Sequence, residues 1–420
     1  MWSPRLFLAV ALFGGSTRPL LADVLVVDAS GAGDFTDLQP AVDFAADGDT
    51  LLVKTGTYGH FRLDAKGLVV LAEAGATVTI QELVTDTSIS NLGKGQMVLL
   101  SGLVFRGLGE HADGLCLWRN TGPVRVQSCT LLGGDALEYP EGDGGNGAYV
   151  CECPDVAFTD CTIRGGHGSD DGDDPCFGCQ LGSGGYGMWM DRSTVTVNRC
   201  TITGGDGGSS PSWGGDGGDG GHGAALDNSN YVAVDSRFQG GDGGDSSDVF
   251  PVCGRGGAGL WVEPTSVVHE LACSFAGGKA GSTFGGECAD GQDVVGSVTS
   301  LSGPARAMLT ERVVREGQTY DLAFHGAPRD AVYLASSPAT LYRFLPSLRG
   351  VHLLAPIQPS SRARTGTIPG SGAFSITVTQ PDLRPGEQSR IVHTQAIFVD
   401  RLGAPIVTNL QSLVVLDSGF

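Results

Sequence analysis

Five times between Gly114 and Phe275 the chain repeats one plan: a glycine, a short apolar strand, a turn, a second strand, a third strand, then a glycine pair. The opening glycines are 114, 147, 187, 223 and 259, so the spacings are 33, 40, 36 and 36 residues. The first strand reads Leu115-Cys116-Leu117, Ala148-Tyr149-Val150, Met188-Trp189-Met190, Ala224-Ala225-Leu226 and Leu260-Trp261-Val262. The second reads Val124-x-Val126, Val156-x-Phe158 and Val195-x-Val197, with looser versions at Val232-x-Val234 and Val267-Val268. The third reads Cys129-x-Leu131, Cys161-x-Ile163, Cys200-x-Ile202, Ser236-x-Phe238 and Cys273-x-Phe275. The glycine pairs follow at 133–134, 165–166, 204–205, 240–241 and 277–278.

Strands this short, alternating with period two, are not amphipathic helices. One unit cannot bury its apolar side alone. Stacked units can, with each strand pairing in parallel to its copies about 4.8 Å away. The repeat therefore predicts an all-β fold, a parallel β-helix. The variable spacing falls in long Gly/Asp-rich loops, where the chain leaves the wall and tolerates insertion.

Residues 1–22 read as a secretory signal: Arg5, the apolar run Leu6–Phe13, and Leu20-Leu21-Ala22 as the cleavage site, with cleavage after Ser16 as the alternative. That run is too short to span a membrane. The chain carries 67 Gly, 11 Cys and a net charge of −20. Residues 301–420 hold 11 Arg against 8 acidic groups, a balance of +3, so residues 1–300 carry −23. So acidic a body argues against nucleic acid and anionic membrane, and permits Ca²⁺ or a basic partner. Oligomeric state is not legible here.

Val24–Asp28 reads as a strand, and Thr36-Asp37-Leu38-Gln39 as a capping box. It opens a short helix over 36–46 that would plug one end of the coil. The stretch Asp28-x-x-Gly31-x-Gly33-Asp34-Phe35-Thr36-x-Leu38-Gln39-x-Ala41-Val42, with Asp47-Gly48-Asp49-Thr50-Leu51-x-Val53-Lys54-x-Gly56-Thr57-Tyr58, resembles the opening of pectin methylesterases and of the wider pectate-lyase-like superfamily. The resemblance implies a right-handed parallel β-helix and a secreted, carbohydrate-facing context. The esterase's later motifs, its paired aspartates, glutamine and arginine, have no counterpart downstream, so the resemblance does not imply that activity.

The β-helix is thus expected over residues 23–299. Beyond Ser300–Pro304 Cys vanishes, Gly thins and Arg replaces Lys. Tyr320-x-Leu322-x-Phe324, Val332–Leu334, Val351–Leu354, Phe374-x-Ile376-x-Val378, Ala396–Val399 and Leu413–Leu416 predict a small antiparallel β-sandwich over 305–420. It loosely resembles the C-terminal accessory modules of large secreted bacterial proteins.

Cys129, Cys161, Cys200 and Cys273 share a strand position and should form an inward ladder of small hydrophobes. Cys116, Cys151, Cys153, Cys176, Cys179, Cys253 and Cys288 lie outward or in loops, where export favours disulfides. Cys176 with Cys179, Cys253 with Cys288, and Cys116 with Cys151 or Cys153 are the pairings considered.

Alternation in the first strand points Tyr149, Trp189, Ala225 and Trp261 outward. The next outward positions are Cys151, Asp191, Asp227 and Glu263. In-register stacking would align an aromatic column beside a carboxylate column, and aromatic faces stack on sugar rings. In the pectate-lyase-like superfamily this first sheet is where substrate lies. Close carboxylates can act as acid and base, or ligate Ca²⁺ through oxygen. Arg192 and Arg255 are the nearby cations. Gly221-His222-Gly223 resembles the Gly-His-Gly of polygalacturonases, which makes His222 a further catalytic candidate. Its family partners, an aspartate pair and an Arg-Ile-Lys, are absent. The loop acids, such as Gly214-Gly215-Asp216-Gly217-Gly218-Asp219, resemble Ca²⁺-binding nonapeptides without their apolar position. The bland alternative is that loops merely roof the aromatics and carboxylates merely cap turns.

Three functions fit: a secreted, non-catalytic protein binding polysaccharide or another cell-surface component; a lyase or glycoside hydrolase of an acidic polysaccharide using Asp191, Asp227 and Glu263; or a purely structural surface protein.

Overall fold

The computed structural model describes residues 22–83, 86–136, 142–170, 181–210, 215–246, 252–283, 288–355 and 363–420. Except for Ala22, the expected leader lies outside them, as do Cys176, Cys179 and the loop tips.

Three long parallel sheets form a right-handed β-helix. The first sheet has 8 strands, the second 10 and the third 8, and every neighbour in each is the equivalent strand of the next coil. Register follows the repeat: Leu115, Ala148, Met188, Ala224 and Leu260 align, as do Leu131, Ile163, Ile202, Phe238 and Phe275. Their side chains fill one continuous core from Val27 to Val268. Single residues at positive φ turn the wall at two corners: Arg119, Glu152, Arg192 and Asn228 after the first strand, and Ser128, Asp160, Arg199, Asp235 and Ala272 before the third.

The end plug is a helix, Leu38–Phe44, which buries Leu38, Ala41 and Val42. Its N-cap is Asp37, whose Oδ1 accepts from Leu38 N at 2.8 Å, and not the Thr36 box expected from sequence. Gln39 turns away to Asp43 and Arg62 instead. Lys66 Nζ donates to the carbonyls of Val42 and Ala45 at 2.7 and 2.6 Å, so a cation satisfies the helix C-terminus.

The Gly-rich loops are ordered arms that stack into a blade standing off the coil. Each leaves the third sheet, and its return arm enters the first. Gly166 N donates to Gly145 O, Gly185 N to Gly166 O, Gly205 N to Gly185 O, Gly221 N to Gly205 O and Gly241 N to Gly221 O, all at 2.8–2.9 Å. A second row three residues further out joins Gly182, Gly208, Gly218, Gly244 and Gly254 at 2.8–2.9 Å. A contact every third residue matches the three-residue turn of an extended polyproline-II-like chain, where only glycine fits between neighbours. The positions between the glycines face outward and stitch layers together. Asp206 Oδ1 accepts from Asp242 N at 2.8 Å, Asp242 Oδ1 from Lys279 N at 2.7 Å, and Asp219 Oδ1 from Arg255 N at 2.7 Å.

The C-terminal region forms a 3-stranded and a 5-stranded sheet around their own core, with a separate hairpin, Thr340–Leu345 and Gly350–Leu354. The long strands Ser389–Val399 and Pro405–Leu416 are antiparallel, and Val313–Arg315 adds a parallel edge. These elements lie along the outer face of the second sheet. Leu52, Val69, Leu71 and Leu99 pack on Val313, Val414 and Leu416, and Val232, Val234 and Leu271 on Val351, Leu353, Ile406 and Leu410.

Cys253 and Cys288 are joined across adjacent return arms. Cys129, Cys161 and Cys200 are buried in the inward ladder, with Cys273 partly so. The pairing of Cys116 with Cys151 or Cys153 does not occur, and all three are free. Cys116 sits in register with Tyr149 and Cys151 with Trp118, which sets the two thiols diagonally, two residues out of step. Cys153, expected outward or in a loop, turns into the core beside Asn120.

Candidate functional site

The return arm of the blade and the outward face of the first sheet meet in a corner. The floor is the aligned row Tyr149, Trp189, Ala225 and Trp261, in register as expected. Trp118, from the coil before, joins it: its ring stacks on Tyr149 at 6.0 Å and 13°, and Tyr149 meets Trp189 at 4.8 Å. Trp118 is 37% exposed and Tyr149 and Trp189 are half-buried. At the foot of the blade Tyr186 stacks on His222 at 5.3 Å, and His222 on Trp261 at 6.0 Å. Two aromatic runs therefore line the corner over five coils. Ala225, at 2% exposure, separates them on the floor.

The acidic column runs through Asp191 and Asp227, which are register partners. Glu263 follows Val262, the last paired residue of its strand, and its N–H donates to Leu226 O at 3.1 Å, one ladder bond beyond the assigned pairing. Asp191 is buried and ion-paired with Arg192 at 2.8 Å, and Cys151 Sγ lies 3.5 Å from its Oδ2. Arg192 also reaches Glu152 at 2.9 Å, and Glu152 reaches Arg119 at 3.0 Å. These corner residues make a charge ladder beside the floor, and Arg119 lies over Trp118 at 5.4 Å. Asp227 accepts from its neighbour Asn228 at 2.8 Å. Arg255 is exposed on the return arm, and its N–H is held by Asp219.

The carboxylate of Asp191, and after it Glu152, holds the Arg192 guanidinium above its ordinary pKa. That is the wrong direction for a base that must give up its proton. His222 is pushed down by burial, so its imidazole is neutral near pH 7. Its Nδ1 accepts from Ala258 N at 2.9 Å, which puts the ring proton on Nε2. Burial raises Cys151, and burial pushes Cys116 up to about 12, so neither is a ready nucleophile.

Among the described residues no three His, Cys, Asp or Glu side chains gather as a metal site. Of the residues expected to hold Ca²⁺, Asp191 is ion-paired with Arg192, and the loop acids Asp206, Asp219 and Asp242 accept from backbone N–H groups.

Sequence reading missed Trp118, Tyr186 and the stacking role of His222. The Gly-aromatic-Gly triplets at 185–187 and 221–223 carried the signal.

No family model matches the chain, and no curated protein matches it. Two solved structures are similar in part. One is the superoxide reductase (neelaredoxin) from Ignicoccus hospitalis, at 12% identity and TM-score 0.15, over 26% of this chain and 80% of that one. The other is the enzymatically active domain of tailspike protein 4 from bacteriophage CBA120, at 12% identity and TM-score 0.18, over 88% of this chain. The chain matches 64% of that domain's length. Neither likeness is close enough to carry an argument, and the fold rests on strand pairing and register. Among the described residues no helix is long and apolar enough to cross a membrane.

Proposed function

We propose that this is a secreted, non-catalytic β-helix protein that binds a linear, uncharged polysaccharide along the corner between blade and first sheet. The observation that carries the reading is the pair of aromatic runs, Trp118–Tyr149–Trp189 and Tyr186–His222–Trp261, half-open to solvent. Aromatic faces present flat apolar area at little entropic cost and stack on sugar rings. The flanking charges cancel: Arg119 and Arg192 are matched by Glu152 and Asp191, so the corner offers no net attraction to an acidic chain. The N-terminal resemblance to the pectate-lyase-like superfamily supports the same context, and the disulfide supports export.

The lyase or hydrolase reading has less behind it. Asp191 is tied up in an ion pair with Arg192, and Arg192 is held protonated. The purely structural reading is separated by experiment. A glycan array on the intact mature protein should give uncharged polysaccharide hits. Trp189→Ala and Trp261→Ala should each weaken the best hit about tenfold or more, on the order of 1.4 kcal/mol, with the fold retained by circular dichroism. Loss of stability with unchanged binding would instead make the aromatics mere roofing. Asp227→Asn should cost binding no more than about 1–3 kcal/mol, a hydrogen bond's worth, and reveal no turnover to lose.

A further inference from the structure

A groove of about 170 Å³ lies on the other side of the blade from the aromatic corner, where the outgoing arms leave the third sheet. Leu132 lies between Arg106 and Arg164, and all three line the groove. Register fixes their order: Arg106, Leu132 and Arg164 are partners on three successive strands. The two guanidiniums therefore spring from positions roughly 9–10 Å apart, twice the spacing of neighbouring strands. Gly107, Gly109 and Gly133 line the groove with bare backbone, and Asp135 lines it from the arm.

Three features define what would fit. The first is charge: two arginines against Asp135 leave the groove at +1, in a body whose first 300 residues carry −23. The second is that the guanidiniums have donors to spare. Arg106 is exposed, and among the described residues its side chain has no ion pair or hydrogen bond. Arg164 Nη1 lies 3.1 Å from His167 Nε2, but its Nη2 stops 3.8 Å from Asp135 Oδ1, too far for a hydrogen bond. The third is a placed acceptor. Asp135 Oδ1 accepts from His167 N at 2.9 Å, and no described residue bonds Oδ2.

We propose that this groove binds a phosphate group, with oxygens accepting from both Arg106 and Arg164 and a P–OH donating to Asp135. A carboxylate has two oxygens, and one guanidinium fork takes up both. A tetrahedral oxyanion keeps oxygens for a second fork. Asp135 then selects among tetrahedral anions. A singly protonated phosphate can donate to its free oxygen, whereas sulfate has no proton to give and meets only repulsion. Free phosphate and a sugar phosphate ester share this chemistry, and the test separates them. The site is independent of the aromatic corner and of any sugar bound there.

The test uses the full mature protein in low salt near pH 6, close to the second phosphate pKa of about 6. The probes are inorganic phosphate, glucose 6-phosphate, sulfate and acetate in titration calorimetry. Phosphate should bind about tenfold or more tightly than sulfate or acetate. Glucose 6-phosphate binding more tightly than free phosphate would mark an ester as the ligand, and weaker binding would mark the free ion. Arg106→Gln should weaken phosphate about tenfold, and as an exposed, unbonded side chain it puts the fold at no risk. Asp135→Asn should bring sulfate up to the phosphate level. Three results would each overturn the proposal: no phosphate binding at millimolar concentration, sulfate equal to phosphate in the parent, or undiminished phosphate binding in Arg106→Gln.

Discussion

Arg125 carries a charge where the side chain is only 2% exposed. Asp155 pairs with it at 2.7 Å, Thr340 Oγ1 accepts at 3.0 Å, and the carbonyls of Val124 and Asp155 take further protons. Removing one partner of such a pair strands the other, so Arg125→Ala should lower stability by about 3–5 kcal/mol in urea unfolding. Close by, His393 is fully buried, with Nδ1 2.8 Å from Ser412 Oγ. Burial, and then the Arg125 charge, push its pKa down to about 3. The unfolded chain takes up this proton near 6.5, so the neutral ring contributes stability above about pH 6.5 that is lost as pH falls toward 3. The loss reaches a few kcal/mol at most. Asp113 works the other way. Burial raises it to about 6, so its penalty grows as pH climbs from about 4 to 6 and is relieved in acid. Comparing His393→Phe with the parent between about pH 7 and 4 isolates the histidine: the parent should lose stability faster on acidification. Parallel pH profiles would show that His393 does not drive the loss.

At the scale of the element, the blade explains the glycine content. Gly205 does not sit at positive φ, so its backbone would suit any residue. What excludes a side chain is neighbouring main chain: a Cβ there would overlap the carbonyl of Gly166. Gly205→Ala must push the arms apart, and should cost about 1–3 kcal/mol or more by overpacking. Asp206→Ala, one residue on, removes the bond to Asp242 N and an exposed contact with His167 Nδ1 at 3.3 Å, and should cost about 1 kcal/mol. Denaturant midpoints of the two variants check the order, and a harmless Gly205→Ala would mean that the arms are not tightly stacked. The Gly-Gly-x triplets are plain in the sequence, yet there they read as insertions outside the wall. Their meaning depends on hydrogen bonds between separate arms, such as Gly221 to Gly205 and Gly241 to Gly221. No local pattern reports those.

At the scale of the molecule, the second sheet is covered on both faces. Thr50–Val53, Val69–Ala72 and Val98–Ser101 are buried at every position. Their unbroken apolar runs are a legible sign of this, since a sheet with one wet face alternates. A chain ending near residue 300 would therefore expose Leu52, Leu71, Leu99 and Val232 together. It should aggregate or bind a hydrophobic dye in size-exclusion and fluorescence assays, whereas the full mature chain should not. A well-behaved monomeric truncation would show the C-terminal sheets to be dispensable. The coil is readable from the repeat alone, which sets strand order, register and inward residues, because parallel stacking leaves one way to bury Leu131, Ile163, Ile202 and Phe238 together. The repeat also sets the aromatic row at Tyr149, Trp189 and Trp261. What surrounds that row depends on contacts between distant segments. Trp118 reaches it from the next outward column, in register with Cys151, and Tyr186 from the return arm ahead of its strand. Asp191 is taken by Arg192 at a corner that positive φ creates. The blade and the C-terminal sheets are decided the same way, by contacts between segments far apart in the chain, which local periodicity cannot encode.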